Sequence, residues 1–239
     1  TEENVLILPV RPSWNDDSDL LGYVDLIHMV YRPSDTGFVK FLIEASKNPN
    51  KLYLVCFDEM NLARVEHYFS QFLSILEKPE KQRQLRLYDA EFKGKLYNSA
   101  FYDDVINIHD NIKFVGTVNI DESTYHFSDK VLDRSNVMNL NVVNYATDWW
   151  TDDFGVVTPQ TLNYEDFYKF INADKSDMLD IKYRNFLWDL HGILQSSSNS
   201  MGVGPRIVKQ IGIYMNNLPA VDESYTIAAA EAFDIQIVQ

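Results

Sequence analysis

The sequence predicts an α/β fold, a parallel sheet flanked by helices, followed by a smaller helical subdomain. Three observations carry it. Residues 52–57, LYLVCF, hold no polar side chain except the tyrosine hydroxyl, and residues 112–120, IKFVGTVNI, form a second largely apolar run. Such runs do not alternate, so they read as strands buried on both faces, as at the centre of a helix-covered parallel sheet. Segments with helical spacing separate the runs, and that alternation is the α/β pattern. After Thr147-Asp148-Trp149-Trp150 the pattern becomes helical only, which divides the chain into a core over residues 1–147 and a helical part over 148–239.

The elements follow in order. Residues 4–10 form the first strand and lead into a loop rich in Pro and Asp. Gly37 to Lys47 predicts a short helix with Phe38, Phe41, Leu42 and Ala45 inward. After the strand 52–57, Asn61 to Glu77 predicts one helix, because Leu62, Val65, Phe69, Phe72, Leu73 and Leu76 share a face. A charged insertion follows over 78–95, then the strand 112–120, a polar turn-rich segment 121–137 and a strand over 137–143. In the second part Asp177 caps a helix bearing Leu179, Tyr183, Phe186, Leu187, Leu190 and Leu194. Ser196 to Gly204 is a flexible connection into a helix that begins at Pro205 and carries Ile207, Ile211, Tyr214, Met215 and Leu218.

The strand 52–57 ends abruptly in two carboxylates, Asp58 and Glu59, the pattern of a Walker B motif. Ligands of α/β sheets bind at the C-terminal tips of such strands. In nucleotide hydrolysis the first acid holds magnesium and the second orients or deprotonates the attacking water. Acidic residues also favour helix starts, so Asp-Glu capping the next helix is the alternative. The strand 112–120 ends in Asn119, whose amide supplies both a donor and an acceptor for a γ-phosphate or a water. Arg134 follows the acidic segment and precedes the strand 137–143. Its planar fork suits charge spread over phosphoryl oxygens, while pairing with Asp129 or Asp133 is the other reading.

The blocks PSWNDDSDLLGY (12–23), FDEMNLARVEHYFSQFLSILE (57–77) and VGTVNIDESTYHFSDKVLDRSN (115–136) resemble the AAA+ NTPases related to the McrB restriction motor. The last block is also similar to the sensor and arginine-finger region of MoxR-type AAA+ proteins. The resemblance implies an AAA+ P-loop NTPase core followed by a helical lid, working as a homo-oligomeric, hexameric ring with ATP or GTP and Mg2+. It implies Asp58 as the magnesium ligand and part of the nucleotide site, Glu59 as catalytic base, Asn119 as sensor 1 and Arg134 as arginine finger. GVGPRIVKQIGIYMNNL (202–218) resembles the sensor 2 helix of an AAA+ lid, which implies Arg206 near the phosphates; a first-turn surface arginine is the alternative. A nuclease subunit is the partner the family suggests, with DNA reached through other domains.

One part of the pattern is missing. A P-loop needs G-x-x-x-x-G-K-[ST], and the only Gly-Lys pair, Gly94-Lys95, has Leu96 after it and no upstream glycine at the spacing. Val5 to Val10 reads as the second core strand, so the expectation is that the first strand, its phosphate loop and its helix lie outside these 239 residues. Strands 112–118 and 137–143 then lack their shared neighbour and either leave a gap or pair directly.

Composition narrows the remaining classes. The net charge of −14 and isoelectric point near 4.7 oppose broad nucleic-acid binding. The local exception is KPEKQRQLRLYDAEFKGK (78–95), which occupies the position of a pre-sensor 1 hairpin; a solvated helix end with an exposed loop is the alternative. The single Cys56 excludes an internal disulfide, and the five histidines are scattered without zinc spacing. Trp149, Trp150 and Trp188 read as packing at a domain junction or as stacking platforms. No apolar stretch reaches membrane-spanning length, and the expected location is cytoplasmic.

Overall fold

The computed structural model describes residues 2–119, 124–138, 164–170, 179–197, 202–218, 220–221, 224–225 and 227–238. The chain divides into two compact units, Thr1–Ser135 and Asn136–Gln239. The boundary expected at 147–148 lies outside the described residues.

The first unit is α/β. Its strands and helices are β1 (Val5–Pro9), α1 (Ser18–Leu21), β2 (Gly22–Asp25), β3 (Val30–Pro33), α2 (Phe38–Lys47), β4 (Tyr53–Asp58), α3 (Val65–Tyr68), α4 (Ser70–Ile75), β5 (Gln84–Arg86), β6 (Val105–Asn107), β7 (Ile112–Gly116) and α5 (Asp129–Leu132). Strands β1, β4 and β7 form a parallel sheet in that order. Both crossovers step the same way across the sheet, and right-handed connections then put their helices on one face. The burial agrees. Leu8 of β1 and Tyr53, Val55 and Phe57 of β4 are buried, whereas Val5, Ile7 and Val115 on the opposite face are 44%, 64% and 47% exposed. Phe38, Val39, Leu42 and Ala45 of α2 are buried, and Phe38, Phe57, Phe69, Phe72 and Phe114 stack edge to face or in parallel around one another. Each fully buried side chain of this size contributes about 1.5–3 kcal/mol.

Four elements differ from expectation. The helix over 61–77 is broken: a short 3-10 turn at Met60–Leu62 gives way to extended backbone at Ala63 and Arg64, then α3 and α4 meet at Phe69 with φ −107° and ψ 16°. The apolar face survives the break, since Val65, Phe69, Phe72 and Leu73 remain buried. The Pro/Asp-rich loop contains α1 and the antiparallel hairpin β2–β3. Gly22 makes that hairpin possible: its φ is +101°, and a Cβ there would lie 2.1 Å from the Arg32 carbonyl oxygen. The hairpin lacks an Asn-Gly or Asp-Gly signal because its turn spans Leu26 to Met29 and is held by Asp25, which accepts from the amides of Ile27 and His28 at 3.1 Å each. Residues 84–107 form the antiparallel β5–β6 pair. Val137 and Met138 carry no strand, and the remainder of the strand expected over 137–143 lies outside the described residues.

The described part of the second unit comprises α6 (Tyr164–Phe170), α7 (Ile181–Ser197), α8 (Pro205–Asn216), the short antiparallel pair β8 (Ala220–Val221) and β9 (Ser224–Tyr225), and α9 (Ala229–Val238). Leu179, Leu187, Ile211 and Phe233 form its core. Phe186, expected inward, is 52% exposed with its ring edge against Phe233. The cap expected at Asp177 falls outside the described residues; at the start of α7, Asp180 Oδ1 accepts the Lys182 amide at 2.9 Å. Among the described residues no helix is long and apolar enough to cross a membrane.

Candidate functional site

The register brings the two expected motifs together. Phe57 pairs with Gly116, so Asp58 and Glu59 leave the tip of β4 beside Thr117, Val118 and Asn119 leaving β7. The Thr117 hydroxyl donates to Asp58 Oδ1 at 2.7 Å and accepts the Glu59 amide at 2.8 Å. Asn119 Nδ2 lies 3.4 Å from Glu59 Oε1, a long hydrogen bond. Asp58, Glu59, Thr117 and Asn119 are all exposed, open to a substrate at the C-terminal end of the sheet.

Glu59 adopts a left-handed backbone, φ 53° and ψ 51°, which costs a side-chain-bearing residue about 1–2 kcal/mol. Its neighbours hold it there. The Thr117 amide donates to the Phe57 carbonyl at 2.9 Å, the Met60 amide donates to the Thr117 carbonyl at 2.8 Å, and the Tyr68 hydroxyl donates to the Met60 carbonyl at 2.9 Å. Gly116 leaves room for the Met60 side chain at the same turn, because a Cβ there would stand 2.5 Å from Met60 Sδ and 3.0 Å from Met60 Cβ and would push that side chain aside. Backbone strain supported from several directions is a feature of functional turns.

Asn61 anchors the segment that carries Asn119. It is 3% exposed; its Nδ2 donates to the Asn119 carbonyl at 2.8 Å and to the Tyr125 carbonyl at 3.2 Å, and its own carbonyl accepts the Tyr125 amide at 2.9 Å. Arg64 lies over the Tyr125 ring, 5.2 Å from its centroid. Sequence reasoning missed Asn61 and Thr117 as site residues. Their only signal is adjacency, Asn61 closing Asp-Glu-Met-Asn and Thr117 two residues before Asn119. Below the tip, burial and the Asp58 charge raise the pKa of the Cys56 thiol.

Arg134 lies elsewhere in the first unit. Arg134, just after α5, is engaged at the end of the helical segment that leads away from β4. Its Nε is 3.0 Å from Glu77 Oε1 and donates to the Leu73 carbonyl at 3.1 Å, and its Nη1 donates to the Lys130 carbonyl at 2.5 Å. Arg206 is exposed in the first turn of α8, in the second unit.

The tip is therefore a set of oxygen ligands with one amide donor. Such a set fits a hard cation: magnesium binds through one or two carboxylates and fills its other positions with water and substrate phosphates. Among the described residues no group of three or more His, Cys, Asp and Glu side chains is arranged to hold a metal ion by itself.

A family model described as a domain of unknown function (DUF8727) matches residues 156–239. That match begins beyond the whole strand-tip cluster. No curated protein matches the chain.

Proposed function

We propose that these residues form the hydrolytic part of an AAA+ nucleoside triphosphatase motor of the McrB-like kind, acting on ATP or GTP with Mg2+ in a homo-oligomeric ring. The observation that carries the reading is the junction of Asp58, Glu59 and Asn119 across the tips of two neighbouring parallel strands. The strand order β1-β4-β7 supports it, since the resemblance expects the strand ending in Asn119 beside the strand ending in Asp58-Glu59.

In this reading Asp58 would hold the magnesium ion, which would supply neutralisation of phosphoryl charge when bound. Glu59 accepts the proton of the attacking water through the carboxylate that Asn119 contacts. Asn119 offers its amide to that water or to the γ-phosphate. Arg134 reaches a neighbouring subunit's nucleotide after exchanging Glu77 for phosphate, and Arg206 acts as sensor 2. The 239 residues hold no P-loop motif, and in this reading the phosphates need a cradle that these residues do not supply. A nuclease subunit that couples hydrolysis to DNA restriction is the partner proposed.

A second reading, an assembly surface without hydrolysis, draws on the absent P-loop and on the pairing of Arg134 with Glu77. The two separate in one assay. In a protein that joins this chain to a phosphate-binding loop, magnesium-dependent phosphate release from ATP or GTP, lost in Asp58→Asn, supports the motor. Turnover that is absent in the unmodified protein supports the scaffold; turnover that is present and equal in Asp58→Asn contradicts the role of Asp58 in the motor.

A further inference from the structure

We propose that Thr117 is the positioning residue of this site, setting both acids of the β4 tip through one hydroxyl; the inference rests on the hydrolytic reading above.

The hydrogen-bond directions are fixed by the chemistry of the groups. The Glu59 amide can only donate, so Thr117 Oγ1 accepts from it at 2.8 Å. The hydroxyl's single hydrogen is then spent on the Asp58 carboxylate, 2.7 Å away. One atom thereby orients the cation-binding carboxylate and pins the backbone of the proposed base. Two main-chain bonds frame it, with the Thr117 amide donating to Phe57 and the Thr117 carbonyl accepting from Met60. Together they close the turn in which Glu59 takes its left-handed conformation. That conformation sets the direction from which the Glu59 side chain leaves the strand, towards Asn119. Gly116 makes room for the Met60 side chain inside the same turn. Gly116, Thr117 and Asn119 thus have three separate duties: clearance, positioning and contact with the reacting groups.

Valine is the shape-matched substitution that removes only the hydroxyl, and serine removes only the methyl group. In the assembled NTPase, Thr117→Val is expected to lower kcat about tenfold to a hundredfold, with the KM for nucleotide changed less than about threefold. Thr117→Ser restores kcat to within about threefold of the unmodified enzyme. In the 239-residue chain, amide exchange at Glu59 speeds up in Thr117→Val and not in Thr117→Ser. Glu59→Gln is run beside them. If Glu59→Gln loses turnover while Thr117→Val keeps it within about twofold, the positioning role is overturned and the hydrolytic reading stands. If Thr117→Ser loses as much as Thr117→Val, methyl packing and not the hydroxyl is responsible, which also overturns the proposal even where Thr117→Val folds poorly. If Glu59→Gln itself turns over normally, the hydrolytic reading fails first.

Discussion

Arg134 is paired with Glu77, Nε to Oε1 at 3.0 Å, with its side chain 19% exposed. Hydrogen bonds to the Leu73 and Lys130 carbonyls complete this clasp between the segment after α5 and the end of α4. An arginine held this way stabilises its own subunit. To act as a finger it must also release one carboxylate for a phosphate.

The two roles give different mutational patterns. As a clasp, Arg134→Ala costs about 1–3 kcal/mol of unfolding free energy by leaving charge-assisted hydrogen bonds unmade, and Glu77→Gln costs less. As a finger, Arg134→Ala also abolishes hydrolysis in the assembled ring, whereas Glu77→Gln leaves it intact. Denaturant melts and phosphate release on both variants check this; equal loss of turnover in the two, scaling with stability, shows a clasp only.

The sheet's two faces differ in the same strand. Leu8 is 2% exposed and Ile7 64% exposed, so Leu8→Ala is expected to destabilise the chain by about 2–5 kcal/mol, and Ile7→Ala by less than about 1 kcal/mol. Urea titration of the two variants checks the difference. A comparable loss in both shows that the face of Ile7 is buried in solution.

Much of the core was legible because its signals are local. Apolar runs marked β4 and β7, and helical spacing marked α2 and the face of Val65, Phe69 and Phe72. Asp58, Glu59 and Asn119 were legible as strand ends, and the parallel register joined them. What escaped depended on contacts remote in sequence. Thr117 looks like one more strand residue until Asp58 and the Glu59 amide arrive beside it. Asn61 looks like a helix start until its side chain is seen binding the Asn119 and Tyr125 carbonyls, and those bonds accompany the break in the expected helix. The β2–β3 hairpin escaped because its turn is closed by Asp25 rather than by a Gly-containing dipeptide.

Nucleotide affinity provides a check on the missing cradle. With no P-loop motif among the 239 residues, phosphates lack the glycine-rich amide cradle and the lysine that such a motif supplies. Calorimetric titration of the chain with ATP or GTP is expected to show negligible heat, with or without Mg2+. Micromolar, magnesium-dependent binding contradicts this.

Acid stability should report on Glu66. Burial pushes its carboxyl upward, but Ser128, whose amide donates to Oε1 at 3.2 Å, the Glu66 backbone amide and the His67 charge together outweigh that and hold it below its ordinary value. A depressed folded pKa means that the contribution is complete above the unfolded value of about 4.3 and is lost as pH falls through the folded one. Glu66→Gln should therefore flatten the decline in stability as pH falls below about 5. An unchanged slope shows that the Ser128 contact does not persist in solution.

The most direct measurement is single-turnover hydrolysis by Glu59→Gln in a protein that joins this chain to a phosphate-binding loop, with nucleotide occupancy measured in the same sample. The substituted amide keeps the size of the side chain and its reach to Asn119 but cannot take a proton from water. Occupancy should be unchanged, and the rate should fall about a hundredfold or more. Hydrolysis at the unmodified rate with full occupancy would contradict the assignment of Glu59 as the base, and with it the reading of the β4 tip as a hydrolytic site.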